Sequence, residues 1–325
     1  MEKLLEVKDL RTYYYTAKRV VPAADDVNFV IHRGEVLGLV GESGCGKSTV
    51  ARSLVGLIDK TNTRIESGEI LYDGKNLAEL SQKELYDIRG NKISMIFQDP
   101  FVSLSPVYTV GYQIYEVMKA HNPKLRRKEA NEKILELMRK VGIPSPELRV
   151  NDYPYQMSGG MQQRIMIAIA LACNPDILIA DEPTTALDVT VQAQVLELLR
   201  ELKDEYQMSV ILISHNLGVI ASMCDRIMVM YGGVVVEEGT SVEIFKDPKH
   251  PYTQGLLASI PSIAEDKEEL YSIPGTVPTF NAPVTQCRFA GRCDRCTEAC
   301  LRSEPALVEL GGGRKVRCIL AGKEE

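Results

Sequence analysis

Short apolar runs alternate along the chain with segments of helical period, and this order predicts an α/β protein. The run Val36–Val40 lies between two glycines and predicts a buried strand. Ile177–Ala180 and the apolar segment before His215 predict two further strands. In contrast, residues 161–172 are strong helix formers, and Arg126–Gly142 carry apolar side chains at helical spacing, so both segments predict helices.

A glycine-rich segment, GESGCGKST, joins the first predicted strand to a helical segment. It fits the pattern G-x-x-x-x-G-K-[ST] with Gly41, Gly46, Lys47 and Ser48. The glycines let backbone N–H groups face a phosphate chain, the lysine places a cation on its β and γ phosphates, and the serine hydroxyl ligates Mg²⁺. A chance turn is the alternative, and the strand and helix on either side favour phosphate binding.

Two adjacent acids, Asp181 and Glu182, follow the second predicted strand. Consecutive strand side chains point to opposite faces, so the pair fits the carboxyl edge of a parallel sheet, where ligands bind. We expect Asp181 to hold Mg²⁺ through water and Glu182 to orient and deprotonate an attacking water. A solvated strand end is the alternative.

Ser158, Gly159 and Gly160 precede the helical segment 161–172. The hydroxyl can cap the helix while bare N–H groups face an anion, and a plain N-cap is the preferred interpretation of these residues alone. The order of motifs along the chain favours the anion-binding interpretation instead. The phosphate loop comes first, followed by this triplet, the two acids, an ALD segment at 186–188 and His215.

Motifs in this order resemble those of the ATP-binding subunits of ABC transporters, over about residues 1 to 245. The resemblance implies an α/β fold with a P-loop NTPase (RecA-like) core, an antiparallel β subdomain and an inserted helical subdomain. Either Tyr13 or Tyr15 is an alternative to Tyr14 as the aromatic side chain that stacks on adenine. The positions matching the family's nucleotide-binding motifs are Tyr14, Gly41, Ser43, Gly44, Cys45, Gly46, Lys47, Ser48, Thr49, Gln98, Ser158, Gly159, Gly160 and Asp188.

The same resemblance implies the roles of these residues. Two subunits face each other head to tail, so that ATP on the Gly41–Thr49 loop of one meets Ser158–Gly160 of the other. Met157 and Met161 flank that triplet where the common signature has leucine and glutamine. The implied catalytic residues are Lys47, Gln98, Glu182 and His215, and the implied Mg²⁺ ligands are Ser48, Gln98 and Asp181.

Composition narrows the function further. The chain is 45% hydrophobic and 25% charged, which excludes a wholly disordered protein, and its net charge of −6 argues against nucleic acid as a partner. No apolar stretch is long enough to span a bilayer and no secretory signal opens the chain, so a cytosolic protein is expected.

Five of the eight cysteines lie in the last 39 residues with the spacing C-x5-C-x2-C-x3-C-x17-C. In a reducing cytosol such a cluster favours a metal site. Sulfur ligands suit a 4Fe-4S cluster, with Zn²⁺ or free or disulfide-bonded thiols as alternatives. Similarity to the family's peptide importers implies Cys287, Cys293, Cys300 and Cys318 as ligands, with Cys296 as the alternate.

Two further segments resemble those of the oligopeptide and dipeptide importers, and they are Gln98–Ile114 and Asp247–Pro261. Nickel importers share this architecture. The resemblance implies a nucleotide-binding core at 1–100 and 157–245, a helical subdomain at 101–156 and an irregular Cys-rich extension at 246–325. It further implies import of peptides driven by ATP hydrolysis at the cytoplasmic face of the membrane. Implied partners are a second ATPase subunit, related or identical, transmembrane permease subunits and, indirectly, a peptide-binding protein. A nucleic-acid or ribosome ATPase and a regulatory subunit without hydrolysis are the rival interpretations.

Overall fold

A computed structural model of the 325-residue chain describes residues 2–185, 187–260, 271–278, 280–282 and 284–321. The strands are β1 Lys3–Tyr15, β2 Val20–His32, β3 Val36–Val40, β4 Thr63–Tyr72, β5 Lys75–Asn76, β6 Ile93–Ile96, β7 Ile177–Asp181, β8 Ser209–Ile213, β9 Arg226–Tyr231, β10 Val234–Thr240, β11 Val308–Gly311 and β12 Arg314–Val316. The helices are α1 Lys47–Leu54, α2 Gln82–Ile88, α3 Pro100–Ser103, α4 Val110–His121, α5 Arg127–Lys140, α6 Pro146–Arg149, α7 Gly159–Leu171, α8 Val189–Tyr206, α9 Leu217–Met223, α10 Ser241–Lys246, α11 Pro251–Ala258 and α12 Glu298–Arg302. None of the helices within these ranges combines the length and apolarity that crossing a membrane requires.

The chain divides into two compact units, one of Met1–Glu79 with Ile213–Glu325 and one of Leu80–Leu212. In the first unit, an antiparallel sheet has the strand order β2-β1-β4-β5. Side chains of β2 alternate between buried and less buried positions, which is the pattern of a strand with one face on the core.

A second set of strands in the first unit has the order β11-β12-β10-β9-β3. Strand β3 pairs in parallel with β9, with Leu39 opposite Met228, and the other pairs are antiparallel. All five residues of β3 are buried, as expected of a strand that is covered on both faces. The phosphate loop therefore starts from a rigid position.

In the second unit β6 pairs in parallel with β7, and helices α2 to α8 belong to the same unit. Helix α5 confirms the helix predicted from residues 126 to 142. It buries one face at helical spacing and exposes the basic residues near its start. The buried residues are Ala130, Ile134, Leu137 and Met138, and the exposed basic ones are Lys124, Arg126, Arg127 and Lys128.

The predicted core strands are confirmed with small changes of bounds. Strand β3 matches the predicted run, and β7 extends by one residue to include Asp181. Strand β8 ends at Ile213, two residues before His215, and Asn216 then caps helix α9 through its side chain.

The segment after 245 is less irregular than its proline and glycine content predicts. Helices α11 and α12 lie in this segment, and the hairpin β11–β12 adds to the edge of β10, with Glu237 opposite Val316. Backbone pairing with an existing edge is a tertiary contact, so local composition does not indicate it. The acidic segment at 264–270 lies outside the described residues.

Candidate nucleotide-binding site

The loop between β3 and α1 is shaped by two glycines with positive φ. A Cβ atom at Gly46 (φ +108°) would lie 2.0 Å from the carbonyl oxygen of Ala23. At Gly41 (φ +151°) it would lie 2.2 Å from that of Met230. Residues with a side chain are excluded at both positions, so the backbone of the loop packs closely against β2 and β9 at these two glycines.

Lys47 is the first residue of α1, and its side chain bends back over the loop. The residue is 6% exposed, and its ammonium group donates to the carbonyl oxygens of Gly41 at 2.7 Å and Glu42 at 3.0 Å. Its neighbour Cys45 is fully buried, and burial raises the pKa of that thiol, so the thiol stays neutral beside the lysine. The loop thus carries a fixed positive charge among backbone N–H groups, the arrangement that binds a phosphate chain.

Other loop positions named from the sequence differ in exposure. Ser43 and Gly44 are exposed at the tip of the loop, Ser48 is half-buried and Thr49 is buried.

The three consecutive tyrosines of β1 have different surroundings. Tyr14 Oη lies 3.3 Å from Oγ1 of Thr49 in the phosphate-loop helix. Tyr13 donates to Asp25 at 2.8 Å, and burial raises its pKa to about 12. Arg64 packs over the ring of Tyr15. Tyr14 is therefore the tyrosine whose hydroxyl reaches the phosphate-loop helix.

Glu182 follows Asp181 in the second unit, directly after β7. Its carboxylate accepts hydrogen bonds from Gln98 Nε2 at 2.8 Å and from Thr185 Oγ1 at 2.9 Å. Its φ of +49° is in the left-handed region, which is strained for a residue with a side chain and is typical of functional sites. Asp181 is 3% exposed at the last position of β7. The two acids thus differ in burial, since Glu182 is half-buried.

Ser158 is the exposed N-cap of α7 and its hydroxyl accepts from the Met161 N–H at 3.4 Å. The first turn of a helix leaves N–H groups without acceptors inside the helix, so Gly159 and Gly160 supply donors at this end. Asp188 caps α8 in the same way by accepting from Val191 N–H at 2.9 Å. Ala186, in the predicted ALD segment, lies outside the described residues.

His215 is exposed and lines a cavity of about 320 Å³ in the first unit. Gly41 and Glu42 of the phosphate loop line the same cavity, together with Asn216 and Gly218. The histidine predicted from a distant motif is therefore next to the start of the loop.

Four of the tail cysteines line one cavity of about 10 Å³ in the first unit, and they are Cys287, Cys293, Cys300 and Cys318. Burial raises the pKa of Cys287 to about 11, and the neighbouring thiols act in the same direction. At Cys300 burial also acts to raise the pKa, but hydrogen bonds from Thr297 outweigh it and lower the pKa. Cys296 does not line this cavity.

The donor set fits a soft metal by ligand type and number. Within the part of the chain that the structure describes, however, no group of three or more His, Cys, Asp or Glu residues is arranged so that it could hold a metal ion. The four thiols thus line one cavity, and holding a metal would require them to rearrange around it.

The sequence motifs do not include several residues that the structure joins to the site. Thr185 is one of them, and its position three residues after Glu182 is a local signal that could have indicated it. Tyr252 and Arg292 are others, and their contacts with Glu42 of the phosphate loop join parts of the chain 210 and 250 residues apart. No local pattern predicts such contacts.

The strand, glycine loop and helix define a P-loop nucleotide-binding fold. The family model described as "ABC transporter" matches residues 24–185, and the one described as "Oligopeptide/dipeptide transporter, C-terminal region" matches residues 236–300. The chain is 47% identical to the oligopeptide transport ATP-binding protein AppD of Bacillus subtilis, over 100% of this chain and 98% of that one. It is 48% identical to the dipeptide transport ATP-binding protein DppD of Haemophilus influenzae, over 97% and 94% of the two chains.

Solved structures agree with these matches. A dimeric, post-hydrolysis state of the ATP-binding cassette MJ0796 bound to ADP and Pi has a TM-score of 0.66 and 29% identity, and the match covers 73% of this chain and 99% of that one. The chain belongs to the ABC transporter family of ATP-binding proteins.

Proposed function

We propose that this protein is the ATP-hydrolysing subunit of an ABC importer for peptides. The observation that carries the proposal is the carboxylate of Glu182, which follows a buried strand and is oriented by Gln98 and Thr185. A carboxylate held in this way can align a water molecule and accept its proton, as phosphoryl transfer to water requires. The names of the relatives AppD and DppD support peptides as the transported substrate.

Each part of the site has a distinct role in this proposal. Lys47 and the loop N–H groups bind the β and γ phosphates, while Ser48, Gln98 and Asp181 hold Mg²⁺, which neutralises charge on the phosphates. Tyr14 stacks on adenine. His215 positions the γ-phosphate, and its place in the cavity beside Gly41 supports that role.

The proposal includes a head-to-tail pair of ATPase subunits, either two copies of this chain or this chain with a related one. In such a pair, Ser158–Gly160 and Asp188 of one subunit complete the site of the other. The exposed N-terminus of α7 supports this, because the partial positive charge of an exposed helix end can stabilise the γ-phosphate of a nucleotide bound to another subunit. The dimeric state of MJ0796 is a further support.

We place the permease contact on the helical segment 101–156, between core segments 1–100 and 157–245. This segment exposes large apolar side chains, which mark interaction surfaces. Phe101 is 64% exposed, Val102 82%, Val107 70% and Tyr155 70%. Docking on permease subunits would hold the protein peripherally on the cytoplasmic face of the membrane. A peptide-binding protein would act on the same importer from the opposite face.

Co-purification with the permease subunits tests this surface. Val102→Asp should weaken co-purification with the permease, whereas Val242→Asp, at a 61% exposed position of the first unit, should not. Equal retention of both variants on the permease would contradict this location of the contact.

For the extension at 246–325 we propose that Cys287, Cys293, Cys300 and Cys318 hold a 4Fe-4S cluster, with Zn²⁺ as the alternative. Such a site would staple a tail that is too small to build its own core. Iron, sulfide and zinc content of the purified protein decides between them. Stoichiometric iron and sulfide with a brown colour support the cluster, a colourless zinc-loaded protein supports Zn²⁺, and a metal-free native protein contradicts both.

ATP turnover by Glu182→Gln tests the proposed activity. The variant should keep MgATP binding and lose hydrolysis by at least about a hundredfold, since removal of a general base typically costs this much or more. Glu197→Gln is the matched control, because Glu197 lies on the exposed surface of α8 in an ion pair with Arg200 and its loss should leave turnover unchanged. Hydrolysis at the wild-type rate in Glu182→Gln would overturn the proposed role.

A further inference from the structure

One arginine of the cysteine-rich tail binds directly to the phosphate loop. Arg292 Nη1 donates to Glu42 Oε2 at 2.7 Å, and Nη2 donates to Oε1 at 3.0 Å. The side chain of Arg292 is 6% exposed and that of Glu42 is 28% exposed. Two parallel bonds between a guanidinium and a carboxylate fix orientation as well as distance, which a single bond does not.

Glu42 is the second residue of the phosphate loop, and its backbone also takes part in the loop structure. Its N–H donates to the Tyr252 hydroxyl at 2.9 Å. Its carbonyl oxygen accepts from Lys47 Nζ at 3.0 Å and from Cys45 N–H at 3.3 Å. A displacement of Glu42 would therefore reach the lysine that is proposed to bind phosphate.

Other residues hold the side chain of Arg292 in place. Its Nε donates to the carbonyl oxygen of Pro274 at 2.7 Å, and Nη1 lies 3.4 Å from the hydroxyl of Tyr231. The Tyr231 ring in turn packs on Tyr252 and Phe289, with ring centroids 4.6 Å and 5.2 Å apart. The guanidinium is thus held by the tail and by an aromatic cluster, so it can act as a fixed point for the loop.

The charges of Arg292 and Glu42 also support a role in nucleotide binding. The Glu42 carboxylate belongs to a loop that is proposed to bind a triphosphate, and an unpaired carboxylate there would repel the anionic ligand. Arg292 neutralises it at contact distance.

We propose that Arg292 is a positioning residue for nucleotide binding: through its bidentate pair with Glu42, the cysteine-rich tail holds the phosphate loop in its binding shape. The proposal rests on ATP binding by this loop, and it does not place Arg292 in contact with the nucleotide. It gives the tail a function in the first unit whatever the metal content of the cysteines.

Binding of MgADP to the purified full-length protein, measured by titration calorimetry, tests the proposal. Arg292→Met and Glu42→Gln should each raise the Kd by about fivefold to thirtyfold, the effect expected of one charge-assisted pair. The double variant should raise it no further than the weaker-binding single variant, because the two residues act as one pair. Arg302→Met is the matched control, since it removes an arginine of the same segment whose pair with Glu298 is exposed, and it should leave the Kd unchanged.

Hydrogen exchange of the nucleotide-free protein gives a second readout that needs no ligand. Amides of residues 41–46 should exchange faster in Arg292→Met than in the wild type or in Arg302→Met. Where Arg292→Met fails to fold, Arg292→Lys and Glu42→Gln replace it, because lysine keeps the charge without the two parallel bonds.

The outcomes separate the two proposals. A wild-type protein that binds no MgADP contradicts the proposed function. A wild-type protein that binds MgADP, with unchanged Kd in the variants or strictly additive effects in the double variant, overturns the role of Arg292 alone. Faster loop exchange with an unchanged Kd also overturns it.

Discussion

The substitution Arg288→Met should weaken the contact of the cysteine-rich tail with strand β2. Arg288 donates to the carboxylates of Asp25 and Glu304 and to the carbonyl oxygen of Gly232 at 2.6 Å. Its side chain is 2% exposed, so methionine fills similar space but leaves two carboxylates without this partner.

The expected loss is about 3 kcal/mol. Removal of one member of a buried ion pair costs about 3–5 kcal/mol because the remaining charge is uncompensated. Asp25 keeps a hydrogen bond from Tyr13 at 2.8 Å and an ion pair with Arg11 at 3.3 Å, which places the cost at the lower end of this range.

Hydrogen exchange is the suitable assay, because a chain with two units does not have to unfold in one step. Amides of residues 20–32 and 287–300 should exchange roughly a hundredfold faster in Arg288→Met, the equivalent of about 3 kcal/mol. Arg302→Met, which removes an exposed arginine of the same segment, should change the opening free energy by less than about 1 kcal/mol. Indistinguishable exchange in the two variants would refute the reasoning.

Three further predictions concern the loop, the adenine and acid pH. Gly46→Ala should weaken MgADP binding at least about tenfold by calorimetry, since positive φ and the close Ala23 carbonyl both exclude a side chain. Tyr14→Ala should weaken ATP binding about tenfold through lost stacking, whereas Tyr15→Ala should not, and equal effects would contradict the assignment of Tyr14. Burial acts to raise the pKa of Asp25, but its ion pair with arginine and the bond from tyrosine outweigh burial and hold it below 3.8. Its contribution to stability should therefore be complete above pH 3.8 and be lost as the pH falls through the lowered folded-state pKa, which circular dichroism against pH measures.

Local chemistry made much of the nucleotide site predictable. The glycines and Lys47 of the phosphate loop follow one another in the chain, and β3 and α1 on either side have the expected periodicities. Asp181 was predictable as the end of an apolar strand, and Ser158 as a helix cap. In each case the residues that determine the structure lie within a few positions of one another.

Long-range contacts were not predictable in this way. Arg317 pairs with Asp26 at 2.8 Å across 291 residues, and Arg292 reaches Glu42 across 250. Arg288 and Arg292 lie between the tail cysteines in the sequence, but their partners Asp25 and Glu42 are 263 and 250 residues away. The hairpin β11–β12 depends on the free edge of β10, which the composition of the tail does not reveal. Predicting these contacts requires knowing which surfaces of the folded chain meet.

The most direct test of the central claim is the mass and nucleotide content of Glu182→Gln with MgATP, purified with its partner ATPase subunit or alone. Light scattering combined with nucleotide analysis should find a pair of ATPase subunits that retains two ATP molecules and separates when Ser158→Arg is added. ATP bound by single subunits that do not associate, with Ser158→Arg having no effect, would contradict a site shared between the phosphate loop and the N-terminus of α7.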